Sequence, residues 1–514
     1  MEQVHEATLS VPGAEVAVKV FRWSLLADDE TPIGLYQRLS THASFILESA
    51  EKNVRLGRYS FIGGCPLAEV SARDNHVDLY LHDFPAKPST KPSRGSGTRI
   101  RFTKSDVLAV LEDVLGEAAR GASEASSEKG FFGGFCGYLG FDYVKRSEPR
   151  AARCAPDPRE EYAYFMMPSY VIRFDHFAQR VDVFVAVMAA AKERENEVRD
   201  RARSAYRALL STLAEVHAPR LAHPESLEPT GFGRLRSSVS RTAFEDAVRR
   251  AQEYIRAGDI FQVVLSQRFS CPRLVSPLSL YRMLRLSNPS PYMFLYNAPS
   301  FTLVGASPEP MLRVTARRAM QRPIAGTRRR GATHAEDERI AAELLADEKE
   351  RAEHIMLVDL ARNDLGRVCK PGSVELTQNM TIERYSHVMH IVSEVEGELA
   401  AGETALSALR ASFPAGTVSG APKIRAIQII DELEHVRRGP YAGAFGYVNL
   451  AGDLDTCLLI RTAVVKDSTI EVQAGAGIVA DSIPEREYEE TVSKAQGIVS
   501  LLEGGAFAHA AHAR

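Results

Sequence analysis

Cysteine is sparse and unpaired: Cys65, Cys136, Cys154, Cys271, Cys369 and Cys457 are scattered singly through 514 residues. With no CxxC, neither a zinc site nor a disulfide scaffold is suggested, and a reducing cytoplasm fits. An excess of one charge is also missing. The 63 Lys and Arg against 66 Asp and Glu leave a net charge of −3, which offers no global attraction to nucleic acid or to an acidic membrane surface. An anionic substrate would therefore have to be met by local groups. No apolar run reaches the ~18 residues of a membrane-spanning helix. The opening MEQVHEATLS lacks a basic region followed by an apolar one, so export is not expected and a cytoplasmic location is. The glycine strings FPAGTVSGAPK and VQAGAGIV match neither GxxxxGK nor GxGxxG, so neither supports a nucleotide fold.

What is present is ordinary globular composition, long enough for about two or three domains. Short strands and helices are expected over residues 1–215. Exposed loops are expected at Phe84 to Gly97 and at GASEASSEKG, and the run GFFGGFCGYLGFDYV reads as packing glycine and aromatics rather than catalysis. The Pro-rich, aperiodic stretch 216–240 is the expected linker. Residues 241–505 would form a second unit, and 506–514 a tail. In that unit Thr242 and Glu245 match a capping box. DIFQVVLSQRF then alternates as a strand, with Phe261, Val263, Leu265 and Phe269 on one side and Gln262 on the other.

The strongest chemical signal is the segment Asp347 to Asp364, DEKERAEHIMLVDLARND, which reads as one helix. Glu350 and Glu353 are separated by about 60° on a helix, so their carboxylates share a face with His354 beside them. Taken alone this turn reads as a solvated charged face. DSIPEREYEETVSKAQ changes the weighing. Asp481 or Ser482 can cap there, Pro484 suits the first turn, and Glu487, Glu490 and Lys494 share a face. Two Glu-x-x-Glu pairs facing one cavity would repel unless a hard cation joined them. Mg²⁺ suits when waters and substrate oxygens complete its shell, with some of the four glutamates acting through water.

Other strings are individually weak. Glu309 in GASPEPML is as readily a surface turn acid. Gly326 and Thr327 in RPIAGTRRRG could donate to a carboxylate or belong to an ordinary basic loop. FPAGTVSGAPK leads into an expected helix from Pro422 to Gly439, whose start offers an anion site. Gly475 and Gly477 could admit a ligand to the backbone. His387 and His390 each read more readily as satisfied core residues.

Together, in this order, PIAGTRRRG, DEKERAEHIMLVDLARNDLGRV, VMHIVSEVEG, FPAGTVSGAPK, DLDTCLLIRTA, QAGAGIVADS and PEREYEETVSKA resemble the anthranilate synthase component I family of chorismate-utilising enzymes. ILESAEKNVRLGRYSFIG and NPSPYMFLY resemble the family's N-terminal and regulatory stretches, so the likeness spans nearly the whole chain.

The resemblance implies an α+β fold of two large, mostly antiparallel sheets packed together and flanked by helices. It implies that Glu350, Glu353, Glu487 and Glu490 hold Mg²⁺ on the ring carboxylate of chorismate. Gly326, Thr327, Thr417, Tyr441, Arg461, Gly475, Gly477 and Lys494 would hold the substrate's two carboxylates and ether. Glu309 would be the general acid on the C4 hydroxyl, and His390 would serve pyruvate elimination. Relatives that add water carry Lys where Gln262 stands, and aminodeoxychorismate synthases often carry a lysine nucleophile where Ala325 stands; neither residue here can do that work. Amination at C2 to anthranilate remains, with an aminodeoxychorismate synthase or a catalytically dead regulatory homologue as alternatives. No cysteine lies in a glutaminase elbow, so ammonia is expected from a separate glutamine amidotransferase subunit. Glu48 and Ser49, with Pro291, Tyr292 and Met293 as an apolar wall, would bind tryptophan as feedback inhibitor.

Overall fold

The structure is a computed structural model, and it describes residues 1–12, 14–27, 29–40, 42–49, 57–73, 76–82, 97–103, 106–120, 128–151, 161–190, 193–214, 235–384 and 388–502. His387, the 506–514 tail and most of the expected loops and linker lie outside the described residues.

Two 15-residue strands, Tyr59–Arg73 and Glu161–Asp175, organise everything else. They pair antiparallel along their whole length, with a register shift between Pro66 and Ala68 beside Cys65, whose φ is 50°. A bulge there bends the ladder, and each half enters a different sheet.

The halves Tyr59–Gly64 and Tyr170–Asp175 lie mid-sheet in the first. On one side follow Arg180–Ala189, Ala14–Leu26 and Glu2–Val11. On the other follow Ala43–Glu48, Tyr292–Asn297, Thr302–Ser307, Thr462–Val465, Thr469–Ile478 and Gln262–Pro272. The opposite halves carry the second sheet. One flank is His76–Leu81 and Thr98–Thr103. The other runs through Gly134–Leu139, Ala444–Asn449, Leu454–Leu458 and Pro310–Thr315. It continues to Arg318–Gln321, then Val388–Glu398, which also pairs with Ile324–Arg329 and Glu375–Arg384. Every ladder is antiparallel, and the expected α+β class with two large sheets holds, the sheets being joined through the two shared strands.

The sheets meet face to face across aromatic side chains. Phe294 of the first lies 4.2 Å from Phe445 of the second, ring centre to ring centre, and Tyr296 meets the same ring edge-on at 5.3 Å. The Gly-aromatic run is packing, as its composition suggests: Gly134–Leu139 is wholly buried between a strand from the first part of the chain and one from the last. At Gly137 a Cβ would strike the Tyr164 carbonyl, so glycine there sets how closely the strands approach.

Three local expectations are corrected. The helix Arg241–Arg256 is capped by Ser240, whose hydroxyl accepts from the Ala243 amide at 3.2 Å, not by Thr242 with Glu245; Glu245 instead pairs with Arg241 at 2.8 Å. Phe261 precedes its strand and is 73% exposed. The helix after FPAGTVSGAP spans Lys423–Leu433 and stops short of Gly439, because Glu434 turns out of it to accept from the Ser266 amide at 2.7 Å.

Packing around the Phe294 ring has a direct test. Gly305 lies opposite Phe294, and a Cβ there would enter its ring. Gly305→Ala is expected to cost about 1–3 kcal/mol as an overpacked core position, read as a lower denaturation midpoint with unchanged slope. A wild-type midpoint would show that the Phe294 ring yields freely at this point.

Candidate active site

An open cleft of about 2310 Å³ collects residues from both Glu-x-x-Glu helices and from strands of both sheets. Every substrate, acid-base and metal candidate named from the sequence lines it: Glu309, Gly326, Thr327, Glu350, Glu353, His390, Thr417, Tyr441, Arg461, Gly475, Gly477, Glu487, Glu490 and Lys494, with Gln262 and Ala325.

The first acidic helix spans Glu348–Gly366. Its cap, Asp347, accepts from the amides of Lys349 and Glu350 at 3.1 and 3.2 Å. Arg328, on the strand carrying Gly326, then binds both Asp347 at 3.0 Å and Glu350 at 2.9 Å. Arg328 was not legible as a site residue, since nothing in RPIAGTRRRG distinguishes it from its neighbours. Gly326 has φ 63°, and a Cβ there would lie 3.0 Å from Leu344 and 3.2 Å from the Glu350 carboxylate. Glycine is what allows strand and helix to touch. His354 faces away from the cleft: it is fully buried, with Nε2 2.6 Å from the Ser393 hydroxyl.

The second acidic helix spans Pro484–Leu502. Lys494 neutralises Glu490 at 2.6 Å and donates to the Gly475 carbonyl at 3.0 Å. Lys349 reaches across from the first helix to Asp481 at 3.0 Å. Glu353 and Glu487 make no ion pair among the described residues. Burial raises the pKa of each, and Glu350 beside Glu353 and Glu490 beside Glu487 add repulsion. Among the described residues no three metal-binding side chains are gathered tightly enough to form a cage. The donor set still fits Mg²⁺, which takes one or two protein carboxylates and fills its shell with water and ligand oxygens.

Cations and proton carriers occupy the rest of the cleft. Arg461 is half-buried with φ 51°, and its guanidinium makes no ion pair among the described residues. Burial lowers its pKa, the mark of a cation short of an anionic partner. His390 lies opposite Thr327 in the ladder, its Nδ1 3.0 Å from the Gly326 carbonyl and 3.1 Å from the Thr327 hydroxyl. Donation from Nδ1–H to that carbonyl selects the tautomer with its lone pair on Nε2, and burial lowers its pKa. Glu309 accepts from the Thr417 hydroxyl at 2.8 Å. Removal from bulk water pushes its carboxyl up to about 7, against the opposing pull of Thr417 and Lys494. Thr417, expected on substrate, thus faces the acid. Gly475 lies under the Tyr441 hydroxyl, where a Cβ would approach to 2.7 Å, and Gly477 lies under Gln262 Nε2, where it would approach to 2.6 Å.

The regulatory candidates divide. Glu48 and Met293 are ladder partners on one face. The Glu48 carboxylate is buried, holding the Tyr281 hydroxyl at 2.6 Å and Arg285 at 3.0 Å. The Ser49 hydroxyl is buried with no hydrogen-bond partner among the described residues. The single wall expected from Pro291, Tyr292 and Met293 does not exist. Successive strand residues face opposite sides, so Tyr292 points the other way and binds Asp455 at 2.8 Å, while Pro291 lines the main cleft.

An antiparallel two-sheet fold around a cleft with opposed acidic pairs and an unpaired arginine is the architecture of a chorismate-binding enzyme, and residues 78–500 match the family of that description. Anthranilate synthase component 1 of Aquifex aeolicus is 44% identical over 483 residues, covering 93% of each chain. That of Thermus thermophilus is 44% identical over 488 residues, covering 95% of this chain and 98% of its own. Among solved structures, anthranilate synthase component I from Streptococcus pneumoniae aligns with a TM-score of 0.70 at 32% identity, covering 92% of this chain and 99% of its own. The menaquinone-specific isochorismate synthase of Escherichia coli, at TM-score 0.68 and 18% identity, shares the fold. The chain belongs to the anthranilate synthase component I family of chorismate-binding enzymes.

The Glu309 environment is open to direct measurement. A carboxyl signal followed by infrared or ¹³C NMR titration should show a midpoint near about 7 that is absent from Glu309→Gln. The Thr417 hydroxyl stabilises the ionised form, so Thr417→Val should move that midpoint upward. A midpoint in the ordinary carboxylate range would rule out a desolvated Glu309.

Proposed function

We propose that this chain is the aminating large subunit that converts chorismate and ammonia to anthranilate, pyruvate and water. The carrying observation is the Glu309 carboxyl at about 7, gripped by Thr417 in the same cleft as the unpaired Arg461 and the two acidic pairs. Chorismate carries two carboxylates, and the cleft holds both Arg461 and the two acidic pairs. Arg461, with the Tyr441 hydroxyl and the glycines at 475 and 477, suits the enolpyruvyl carboxylate. Glu350, Glu353, Glu487 and Glu490 would hold Mg²⁺ against the ring carboxylate, some of them through water. Once bound it withdraws negative charge from the ring.

Glu309, protonated below about 7, gives its proton to the departing C4 hydroxyl, which leaves as water while ammonia forms the C2–N bond and the ring double bonds shift. Its raised pKa means that this donor is lost as pH rises through about 7. In the second stage the C2 proton is removed and the C3–O bond breaks. Pyruvate leaves in its enol form and the ring becomes aromatic. His390 Nε2, fixed in its basic tautomer by Gly326, is the base that the arrangement supplies. Gln262 carries no basic nitrogen to activate water and Ala325 no nucleophile, which favours ammonia.

A glutaminase needs a reactive thiolate, and the five described cysteines are all buried. Cys154 stands in no G-x-C-x-G string, and this supports ammonia supplied by a separate glutamine amidotransferase, in line with the second component that the relatives' names imply. Among the described residues no helix is long and apolar enough to cross a membrane. Purified chain with chorismate, ammonium and Mg²⁺ should yield anthranilate fluorescence that EDTA abolishes. Isochorismate, 4-amino product or undiminished turnover in EDTA would contradict the assignment.

Tryptophan is the proposed feedback ligand at Glu48, Ser49 and Met293. The Glu48 carboxylate suits an ammonium group, Met293 suits an indole, and the Ser49 hydroxyl, buried without a partner among the described residues, would gain one. Met293 is two residues from cleft-lining Pro291, which couples the two sites. Tryptophan should inhibit wild type, and Ser49→Phe should remove inhibition while sparing basal turnover. An inhibition constant unchanged by Ser49→Phe would place the effector elsewhere.

A further inference from the structure

Glu434 and Arg438 do not line the cleft, yet they form a deeply buried ion pair beside it whose donors and acceptors are nearly all used. Their side chains are 8% and 2% exposed. So deep a pair offsets its desolvation only if nearly every donor and acceptor is used. Arg438 donates from Nε and Nη2 to the two Glu434 oxygens at 2.9 and 2.6 Å. Nη1 donates to the Val418 carbonyl at 2.7 Å and Nη2 to the Val264 carbonyl at 2.6 Å. The guanidinium lies over the rings of Phe141 at 4.5 Å and Tyr441 at 5.6 Å. Glu434 accepts in turn from the Ser266 amide and hydroxyl at 2.7 and 2.9 Å.

Most of the partners belong to the cleft or touch it: Val264, Val418 and Tyr441 line it and Ser266 is the ladder partner of cleft-lining Gly475, while Phe141 lies outside it. Val418 follows Thr417, whose hydroxyl grips Glu309. Val264 and Ser266 belong to the strand that brings in Gln262 and pairs Ser266 with Gly475. Tyr441 overlies Gly475. The segment carrying Thr417 is also held from its other side, where Lys423 binds Asp364 at 2.9 Å and the Ser412 carbonyl at 3.2 Å. Lys423 ties that segment to the helix bearing Glu350 and Glu353.

We infer that Arg438 is a positioning residue for catalysis, its planar fork fixing the Val418 carbonyl and the Tyr441 ring so that Thr417 meets Glu309 and Tyr441 meets substrate. The inference rests on the reading of Glu309 as the acid. A purely structural pair would affect folding alone; a positioning residue must also be coupled to Thr417 in turnover.

Arg438→Lys keeps the charge but cannot serve two carbonyls and a bidentate carboxylate at once. It should lower kcat by about ten- to hundredfold, as misplacement of a catalytic group does, with KM for chorismate changed by less than about threefold. In a double-mutant cycle with Thr417→Val the two losses in kcat should fail to multiply, because both remove the same constraint on Glu309. Losses that multiply, or wild-type kcat in folded Arg438→Lys, overturn the inference. If Arg438→Lys does not fold, the paired variant Arg438→Met with Glu434→Gln, which removes both charges together, takes its place in the cycle. Failure of that variant to fold as well would show that the pair holds the fold rather than the site, and would also overturn the inference. Glu309→Gln in parallel separates the two claims. If it retains full turnover, the acid assignment fails and this inference falls with it. If it is inactive while the cycle multiplies, the positioning role alone is refuted.

Discussion

The bent ladder between Tyr59–Arg73 and Glu161–Asp175 is the constraint on which the rest of the molecule depends. A flat pair of 15-residue strands would commit both halves to one sheet. The register shift beside Cys65 sends the halves into two sheets, and the twist of each brings the far flanks face to face across Phe294, Tyr296 and Phe445. The catalytic cleft draws on both flanks. Gly475 and Gly477 arrive on the first sheet, Gly326 and His390 on the second.

Electrostatics in the cleft follows from how unevenly charge is neutralised. Glu350 is held by Arg328 and Glu490 by Lys494, while Glu353, Glu487 and Arg461 lack ion-pair partners among the described residues. A site left with two under-compensated carboxylates and one unpaired guanidinium is unfavourable until a cation and an anion enter. The proposed dianion accompanied by a divalent metal would relieve both. Glu309 is the complementary case: its burial is relieved by a proton, which is the form needed to expel a hydroxyl.

One short strand links the surroundings of Glu48 to the cleft. The strand Tyr292–Asn297 presents Met293 to Glu48 and Tyr292 to Asp455, and Pro291 just before it lines the cleft. Alternation along one strand thus turns Met293 and Tyr292 to opposite sides. For the tryptophan proposed at Met293, differential binding to two positions of that strand is all that coupling to the cleft would require.

Local periodicity made a large share of this legible beforehand. Glu350 with Glu353 and Glu487 with Glu490 sit at helical spacing, so each pair was already on one face whatever the tertiary fold. Ala325 cannot be a nucleophile in any conformation, nor Gln262 a base. The scattered cysteines and balanced charge excluded whole classes of function. Tertiary structure alone decided the through-space partners: Thr417 with Glu309 across 108 residues of chain, and Glu48 with Tyr281 across 233. It also decided that Arg328 occupies Glu350, that Tyr292 and Met293 part company, and that Arg438 rather than any exposed loop residue braces the site. Helical and strand periods are properties of a few consecutive residues and survive in the sequence. A hydrogen bond between distant segments depends on where two sheets finally pack, and no spacing within either segment records it.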